Sequence, residues 1–232
     1  MATQYKYIFF DLDRTLWDYD ANSSRALSML FEKYGLADHF DSPAEFIRIY
    51  NYHNDILWEE YRQGRIKKND LRSKRFNLAL MEKKVDDPEL SIRIGNQYME
   101  ITPKLNILAP NTIQTLEYLE QKHYRLFILT NGFLSTQQKK MSNSGLDRYF
   151  ERIYSSEEIG VNKPHREIFH WAVSGLHAHK KECLMIGDDV VVDVKGAADY
   201  GLNTVWFNPG RLESKIAPTH TIGDMSELTT IL

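Results

Sequence analysis

Two aspartates one residue apart, Asp11 and Asp13, follow the apolar run Tyr7-Ile8-Phe9-Phe10. Four apolar or aromatic residues in a row read as a buried strand, and the charges begin where that strand must surface. Side chains alternate along a strand, so the two carboxylates can point the same way into one small volume. Like charges held that close are costly unless a cation sits between them or one keeps its proton. The pair therefore suggests a metal site or a proton-transfer site before it suggests a structural one.

The residues that must position this pair are read from the rest of the chain. Four further apolar runs look like strands: Tyr124 to Leu129, Arg152 to Tyr154, Cys183 to Ile186 and Thr204 to Phe207. Amphipathic stretches over 111–121, 134–142, 165–174 and 190–200 separate them. Alternating strands and helices predict an α/β fold, a Rossmann-like parallel sheet with helices on both faces. In such open sheets ligands bind beyond the carboxyl ends of the strands. The residues just after each strand form a coherent set there: Asp11 and Asp13; Thr130-Asn131-Gly132; and Gly187-Asp188-Asp189, with Asp193 one turn later. Lys163-Pro164 precedes the helix at His165. Carboxylates, a lysine, a threonine and a helix start suit a magnesium-bound phosphate, with hard oxygen ligands for the cation and donors for phosphoryl oxygens.

One connection is far too long for a parallel sheet. Over a hundred residues separate the first strand from Tyr124, and they contain helix punctuation but no convincing strand. Ser42-Pro43 and Asp87-Pro88 each offer an N-cap followed by proline at the first helical position. Gly64 is a plausible stop for the first of these helices, and Asn69 or Asp70 is a candidate cap for a helix running through Met81. Residues 18–104 are expected to form an all-helical cap inserted into a core made of 1–17 and 105–232. An insertion rooted beside a candidate site suggests a lid that chooses the substrate.

Composition narrows the partners. The 232 residues are 42% hydrophobic with a net charge of −3, and Lys and Arg are scattered. Nothing suggests a nucleic-acid polymer or a membrane as partner. The sole cysteine, Cys183, lies in an apolar run and reads as a buried, inert thiol. No apolar stretch approaches bilayer length, and Met1 to Lys6 has no signal-peptide core, so a cytoplasmic location is expected.

Taken in order, Asp11-x-Asp13-x-Thr15, Thr130-Asn131-Gly132, Lys163-Pro164 and Gly187-Asp188-Asp189 with Asp193 resemble the four motifs of the haloacid dehalogenase superfamily. The insertion falls where that family carries its helical cap. Dehalogenase members usually have a non-acidic residue at the position of Asp13, so the resemblance points to the phosphatase branch. Phe9-Phe10-Asp11 and Trp206-Phe207-Asn208 are similar to stretches of the bacterial pyrimidine 5′-nucleotidases of that branch.

The resemblance implies a Mg²⁺-dependent phosphatase acting on a small phosphorylated metabolite, most simply a nucleoside 5′-monophosphate. Asp11 would be the nucleophile and Asp13 the general acid and base. Asp11, the Asp13 carbonyl and Asp188 would hold the metal. Thr130, the Asn131 amide and Lys163 would hold the transferring oxygens. Asp193 would orient Lys163 or a metal-bound water, and Asp189 would share that role or cap the next helix. Thr15 is read as a cap or a supporting residue, and Arg14 as facing solvent or the cap. His165, His170, His177 and His179 lack zinc spacing and are read as surface residues. Trp17, Tyr19, Trp58 and Tyr61, with His53 and Arg62 nearby, are the candidates for contacting the leaving group. The alternatives are a sugar-phosphate phosphatase or phosphomutase of the same superfamily, and a non-enzymatic binding protein on this scaffold.

Overall fold

The computed structural model describes residues 5–232. Met1 to Gln4, most of the stretch expected to lack a signal-peptide core, lie outside the described residues. The chain divides into two compact units, Met1–Tyr19 with Asn106–Leu232, and Asp20–Leu105.

The discontinuous unit is built on a six-stranded, fully parallel sheet of order β3-β2-β1-β4-β5-β6. Its strands are β1 (Tyr7–Phe10), β2 (Arg125–Thr130), β3 (Arg152–Ser155), β4 (Cys183–Gly187), β5 (Asn203–Phe207) and β6 (His220–Ile222). Five of these follow the apolar runs. β6 was not expected: it has three residues, of which only Ile222 is buried, so it carries no apolar run to read.

Alternation along the strands divides the core in two. Ile8, Phe10, Leu126, Ile128, Leu184, Ile186, Val205 and Phe207 enter one cluster with Leu116, Leu119 and Met141. Phe9, Phe127, Leu129, Cys183 and Met185 enter the other with Phe169, Ala172, Ala197 and Tyr200. Both sheet faces are therefore covered by helices, α5 (Thr112–Gln121), α6 (Leu134–Ser144) and α10 (Leu228–Ile231) with the first cluster and α7 (Ser156–Ile159), α8 (Arg166–Ser174) and α9 (Gly196–Tyr200) with the second, which is why the strands are apolar on both sides. Strand order reverses at β1, whose neighbours β2 and β4 leave it in opposite directions, and such a switch point is where open α/β sheets bind ligands beyond the carboxyl ends of the strands.

The Asp20–Leu105 unit holds four α-helices: α1 (Tyr19–Lys33, entering from the other unit), α2 (Pro43–Arg62), α3 (Lys68–Glu82) and α4 (Pro88–Ile101). Ser42 and Asp87 cap α2 and α4 through the amides of Glu45 and Leu90. The start of α3 is corrected. Lys67 is the N-cap residue, and Asp70 stands at the third helical position, its carboxylate accepting from the Lys67 amide. Leu30, Phe46, Tyr50, Phe76, Ile94 and Tyr98 form this unit's own core. Among the described residues no helix is long and apolar enough to cross a membrane.

Candidate active site

The end of β1 is where backbone geometry and charge meet. After Phe10 the chain turns tightly: the amides of Leu16 and Trp17 both donate to the Leu12 carbonyl, and Arg14 adopts a left-handed φ of 61°. The turn brings Asp11, Asp13 and Thr15 to one end of the sheet. The Arg14 guanidinium stands 4.7 Å from the Tyr19 ring centre.

Asp11 is buried and meets Lys163, which comes from the loop before α8 (Arg166–Ser174). Lys163 Nζ donates to Asp11 Oδ1 at 2.7 Å, to Asp193 Oδ1 at 2.6 Å and to the Leu129 carbonyl at 2.7 Å. All three ammonium hydrogens are thereby used. Burial pushes this lysine's pKa down, but the two carboxylates outweigh it and raise the value above the ordinary one. Asn131 holds the loop in place: its side-chain oxygen accepts from the Lys163 amide at 2.8 Å, and its side-chain nitrogen donates to the Lys163 carbonyl at 3.0 Å. This corrects the expected role of the Asn131 side chain, whose amide is spent at both ends on shaping the lysine loop.

Opposite Asp11 stands the acidic turn after β4. Carboxylate oxygens of Asp11, Asp188 and Asp193 come within 4.8 Å of one another. Burial first, and then the neighbouring carboxylates, push Asp188 up to about 8. Burial also pushes Asp11 up to about 7, against the pull of Lys163, and Asp193 is raised by burial as well. Thr15 Oγ1 donates to Asp188 Oδ1 at 3.2 Å, and Trp206 Nε1 donates to the Asp188 carbonyl at 2.8 Å. In the sequence Trp206 carries no signal beyond the resemblance of Trp206-Phe207-Asn208; a buried indole needs an acceptor, and here the Asp188 carbonyl supplies it. Asp189 caps the following π-helical turn, Val190–Lys195, by accepting from the amides of Val191 and Val192. Asp193 Oδ2 accepts from the Asp189 amide at 3.2 Å, so both of its oxygens are engaged. Gly187 has no room for a Cβ, which would run into the Asp193 carboxylate.

Asp13 lies in different company. Gln137 Nε2 donates to its Oδ2 at 2.9 Å, and Lys140 Nζ pairs with its Oδ1. Both partners come from α6 (Leu134–Ser144), and neither was singled out from the sequence. Thr130 Oγ1 accepts from Gln137 Nε2 at 2.9 Å and from the Gly132 amide at 3.0 Å. The two aspartates of the opening run are thus separated by environment: one enclosed with a lysine among carboxylates, the other held at a partly open edge.

Other expectations fare differently. Trp17 is corrected: it is fully enclosed in the sheet-side core and has no surface to offer a leaving group. Tyr19 is partly buried with its ring 6.4 Å from that of Trp17. Trp58 and Tyr61 are half-buried on α2 and meet edge to face, ring centres 5.7 Å apart. His53 Nε2 lies 2.8 Å from Glu82, and Arg62 pairs with Glu59. His165, His170, His177 and His179 are all exposed. Cys183 is buried and its thiol is pushed up to about 12 by that burial, so it stays protonated.

The family model described as haloacid dehalogenase-like hydrolase matches residues 5–201. The chain is 32% identical over 232 residues to the pyrimidine 5′-nucleotidase YjjG of Escherichia coli, covering 99% of this chain and 98% of that protein. It is 31% identical to YfnB of Bacillus subtilis, which is named as a HAD-hydrolase, covering 99% and 96% respectively. A crystal structure of YfnB bound to magnesium, in which interdomain movement is described, superposes with a TM-score of 0.88 over 99% of both chains. A glyceraldehyde 3-phosphate phosphatase of Pyrococcus furiosus is 29% identical over 98% of this chain and 92% of that protein.

Proposed function

The chain belongs to the haloacid dehalogenase-like hydrolase family, and we propose that within it the protein is a Mg²⁺-dependent 5′-nucleotidase. That it is a phosphoric monoester hydrolase follows from the family and from its relatives. The substrate class and the metal are the proposal.

The observation that carries it is the division of labour between Asp11 and Asp13. A nucleophile should be fixed and charge-balanced, and Asp11 is held by Lys163 in a buried site. A proton shuttle should sit where a leaving group and then water can reach it, and the Asp13 side chain is 28% exposed. In this reading Asp11 attacks phosphorus in line and the phosphorus–oxygen bond to the leaving group breaks, giving an aspartyl-phosphate. Asp13 gives its proton to the departing alkoxide and takes one from the water that opens the aspartyl-phosphate. The Thr130 hydroxyl holds a transferring oxygen, with the backbone amide of Asn131 in place of its occupied side chain. Asp193 keeps Lys163 in place.

The donor set fits magnesium: oxygen ligands only, with burial first and the neighbouring carboxylates second raising the pKa of Asp11 and Asp188. Asp11, Asp188 and the Asp13 carbonyl would hold the ion, with Asp193 behind them. Bound there, Mg²⁺ would offset the repulsion between a carboxylate nucleophile and an anionic phosphate.

The nucleotide preference rests on the similarity to YjjG and on the aromatic helix α2 of the Asp20–Leu105 unit, which we propose acts as the specificity cap. A sugar-phosphate phosphatase is the second reading, supported by the similarity to the Pyrococcus phosphatase. A phosphate-release screen with Mg²⁺ over nucleoside monophosphates and sugar phosphates separates them. Preference for pyrimidine 5′-monophosphates is the expected result, and preference for sugar phosphates throughout would overturn it. Isomerised sugar phosphate outpacing free phosphate would indicate a mutase, and silence across the panel a binding protein.

A further inference from the structure

We infer that Gln137 and Lys140 are positioning residues for Asp13, fixing the plane of the carboxylate that serves as proton shuttle in the reading above, on which this inference rests. The first sign is α6 itself. Its buried residues are Gln137, Lys140 and Met141, so a surface helix turns an amide and an ammonium inward. Burying such groups is unfavourable unless they are paired. Their spacing of three puts them on one helical face, and that face meets Asp13.

Each Asp13 oxygen has its own donor, Gln137 Nε2 on Oδ2 and Lys140 Nζ on Oδ1. A carboxylate held at one oxygen can swivel about its Cβ–Cγ bond; held at both, it cannot. Lys140 is itself confined, with Nζ 4.4 Å from the Trp17 ring centre and 5.9 Å from that of Tyr19. This cation–π seat accounts for the buried Trp17: it shapes the site through Lys140 rather than by touching substrate.

Gln137 ties a second group to the first. One amide hydrogen goes to Asp13 and the other to Thr130 Oγ1. Turned over, the amide would set its carbonyl oxygen against the Asp13 carboxylate, so its direction is determined. Gly132 makes room for it, since a Cβ there would run into the Gln137 amide. Thr130 Oγ1 also accepts from the Gly132 amide, so both its lone pairs are engaged. Its hydroxyl can then act only as a donor, the role a phosphoryl oxygen requires. A single glutamine thus sets the angle of the proton shuttle and the direction of a phosphate donor. Misplacement by an ångström can cost about a hundredfold in rate, so such a clamp is worth its burial.

The test compares Lys140→Met and Gln137→Leu with the unaltered enzyme on a nucleoside 5′-monophosphate and on p-nitrophenyl phosphate. A second comparison repeats both substitutions in an Asp13→Asn background. We expect Lys140→Met to lower kcat on the nucleotide by roughly a hundredfold and on the aryl phosphate by less than about fivefold, and Gln137→Leu, which also frees Thr130, to lower both, the nucleotide more. KM should change little for Lys140→Met. In the Asp13→Asn background Lys140→Met should change kcat by less than about twofold, because it acts through the group already removed, while Gln137→Leu should keep only the loss it causes through Thr130. Lys140→Arg keeps the charge and the aromatic seat and should recover most of the loss. Should Lys140→Met fail to fold, Lys140→Gln carries the comparison, with Gln137→Leu. For Lys140→Met, a loss that multiplies fully in the Asp13→Asn background, or equal losses on both substrates, would overturn the inference, as would a Gln137→Leu loss undiminished in that background. If Asp13→Asn alone showed no leaving-group dependence, the failure would lie with the role of Asp13 and not with the clamp.

Discussion

Lys163 and Asp11 form an enclosed ion pair, Nζ 2.7 Å from Oδ1, with the lysine side chain 1% and the aspartate side chain 11% exposed. Lys163 reaches Asp193 at the same time, so one cation is set between two carboxylates, one directly after β1 and the other in the π-helical turn after β4. Its hydrogens are all engaged, and it could reach a phosphoryl oxygen only by giving up one of its present partners. Its first effect is to orient and balance Asp11.

Replacing Lys163 by methionine should therefore be felt as lost stability as well as lost activity. Removing one partner strands buried carboxylates, which typically costs about 3–5 kcal/mol. The loss should be larger at pH 8 than at pH 5, where Asp11 and Asp193 can take up protons. Thermal melts at the two pH values measure it, and an equal loss at both would contradict the pairing.

Asp11→Asn removes the attacking charge while keeping the shape. The expected fall in kcat is at least roughly 10³-fold, with a fold that still melts cooperatively. Near-normal turnover in stringently purified variant protein would remove Asp11 from the role of nucleophile.

Asp13→Asn should discriminate between leaving groups. Alkoxide leaving groups need a proton in the transition state and aryl oxides need little, so nucleotide turnover should suffer more than p-nitrophenyl phosphate turnover. Equal losses would count against Asp13 as the acid.

The acidic cluster makes stability and cation binding depend on pH in a definite direction. Asp11 and Asp188 are raised from 3.8 to about 7 and about 8, so the folded state holds their protons more tightly than the unfolded chain. Their contribution to stability is present below about pH 4 and is lost as pH rises through 7 to 8. Magnesium needs the deprotonated carboxylates, so its affinity and the Tm shift it causes should grow from pH 6 to pH 8. Thermal shift with and without Mg²⁺ at the two pH values tests this. A shift as large at pH 6 would contradict it, as would activity that survives exhaustive EDTA treatment.

Truncating Trp58 or Tyr61 to alanine should raise KM for nucleotides by roughly tenfold, with p-nitrophenyl phosphate much less affected. Unchanged nucleotide preference in both variants would remove α2 from substrate selection.

Much of this protein is legible in one dimension because its candidate site residues are placed directly after its strands. Asp11, Thr130 and Asp188 each stand within one residue of a strand end, and apolar runs mark those ends without reference to anything distant. The starts of α2 and α4 are legible for the same reason, since Ser42-Pro43 and Asp87-Pro88 are local signals that satisfy local amides. Tertiary structure decided what local signals cannot carry. β6 exists because β5 offers it an edge to pair with, not because its own residues demand a strand. Trp17, read as an entrance aromatic, is core because the turn after Asp13 folds it inward. The Asn131 side chain is occupied by a loop 32 residues away, which leaves only its backbone amide for a phosphate. Gln137 and Lys140 look like ordinary polar helix residues until a carboxylate more than 120 residues earlier in the chain is brought against them. A hydrogen bond has no sequence periodicity, so the partners of buried polar groups emerge only when the sheet order brings distant strand ends together.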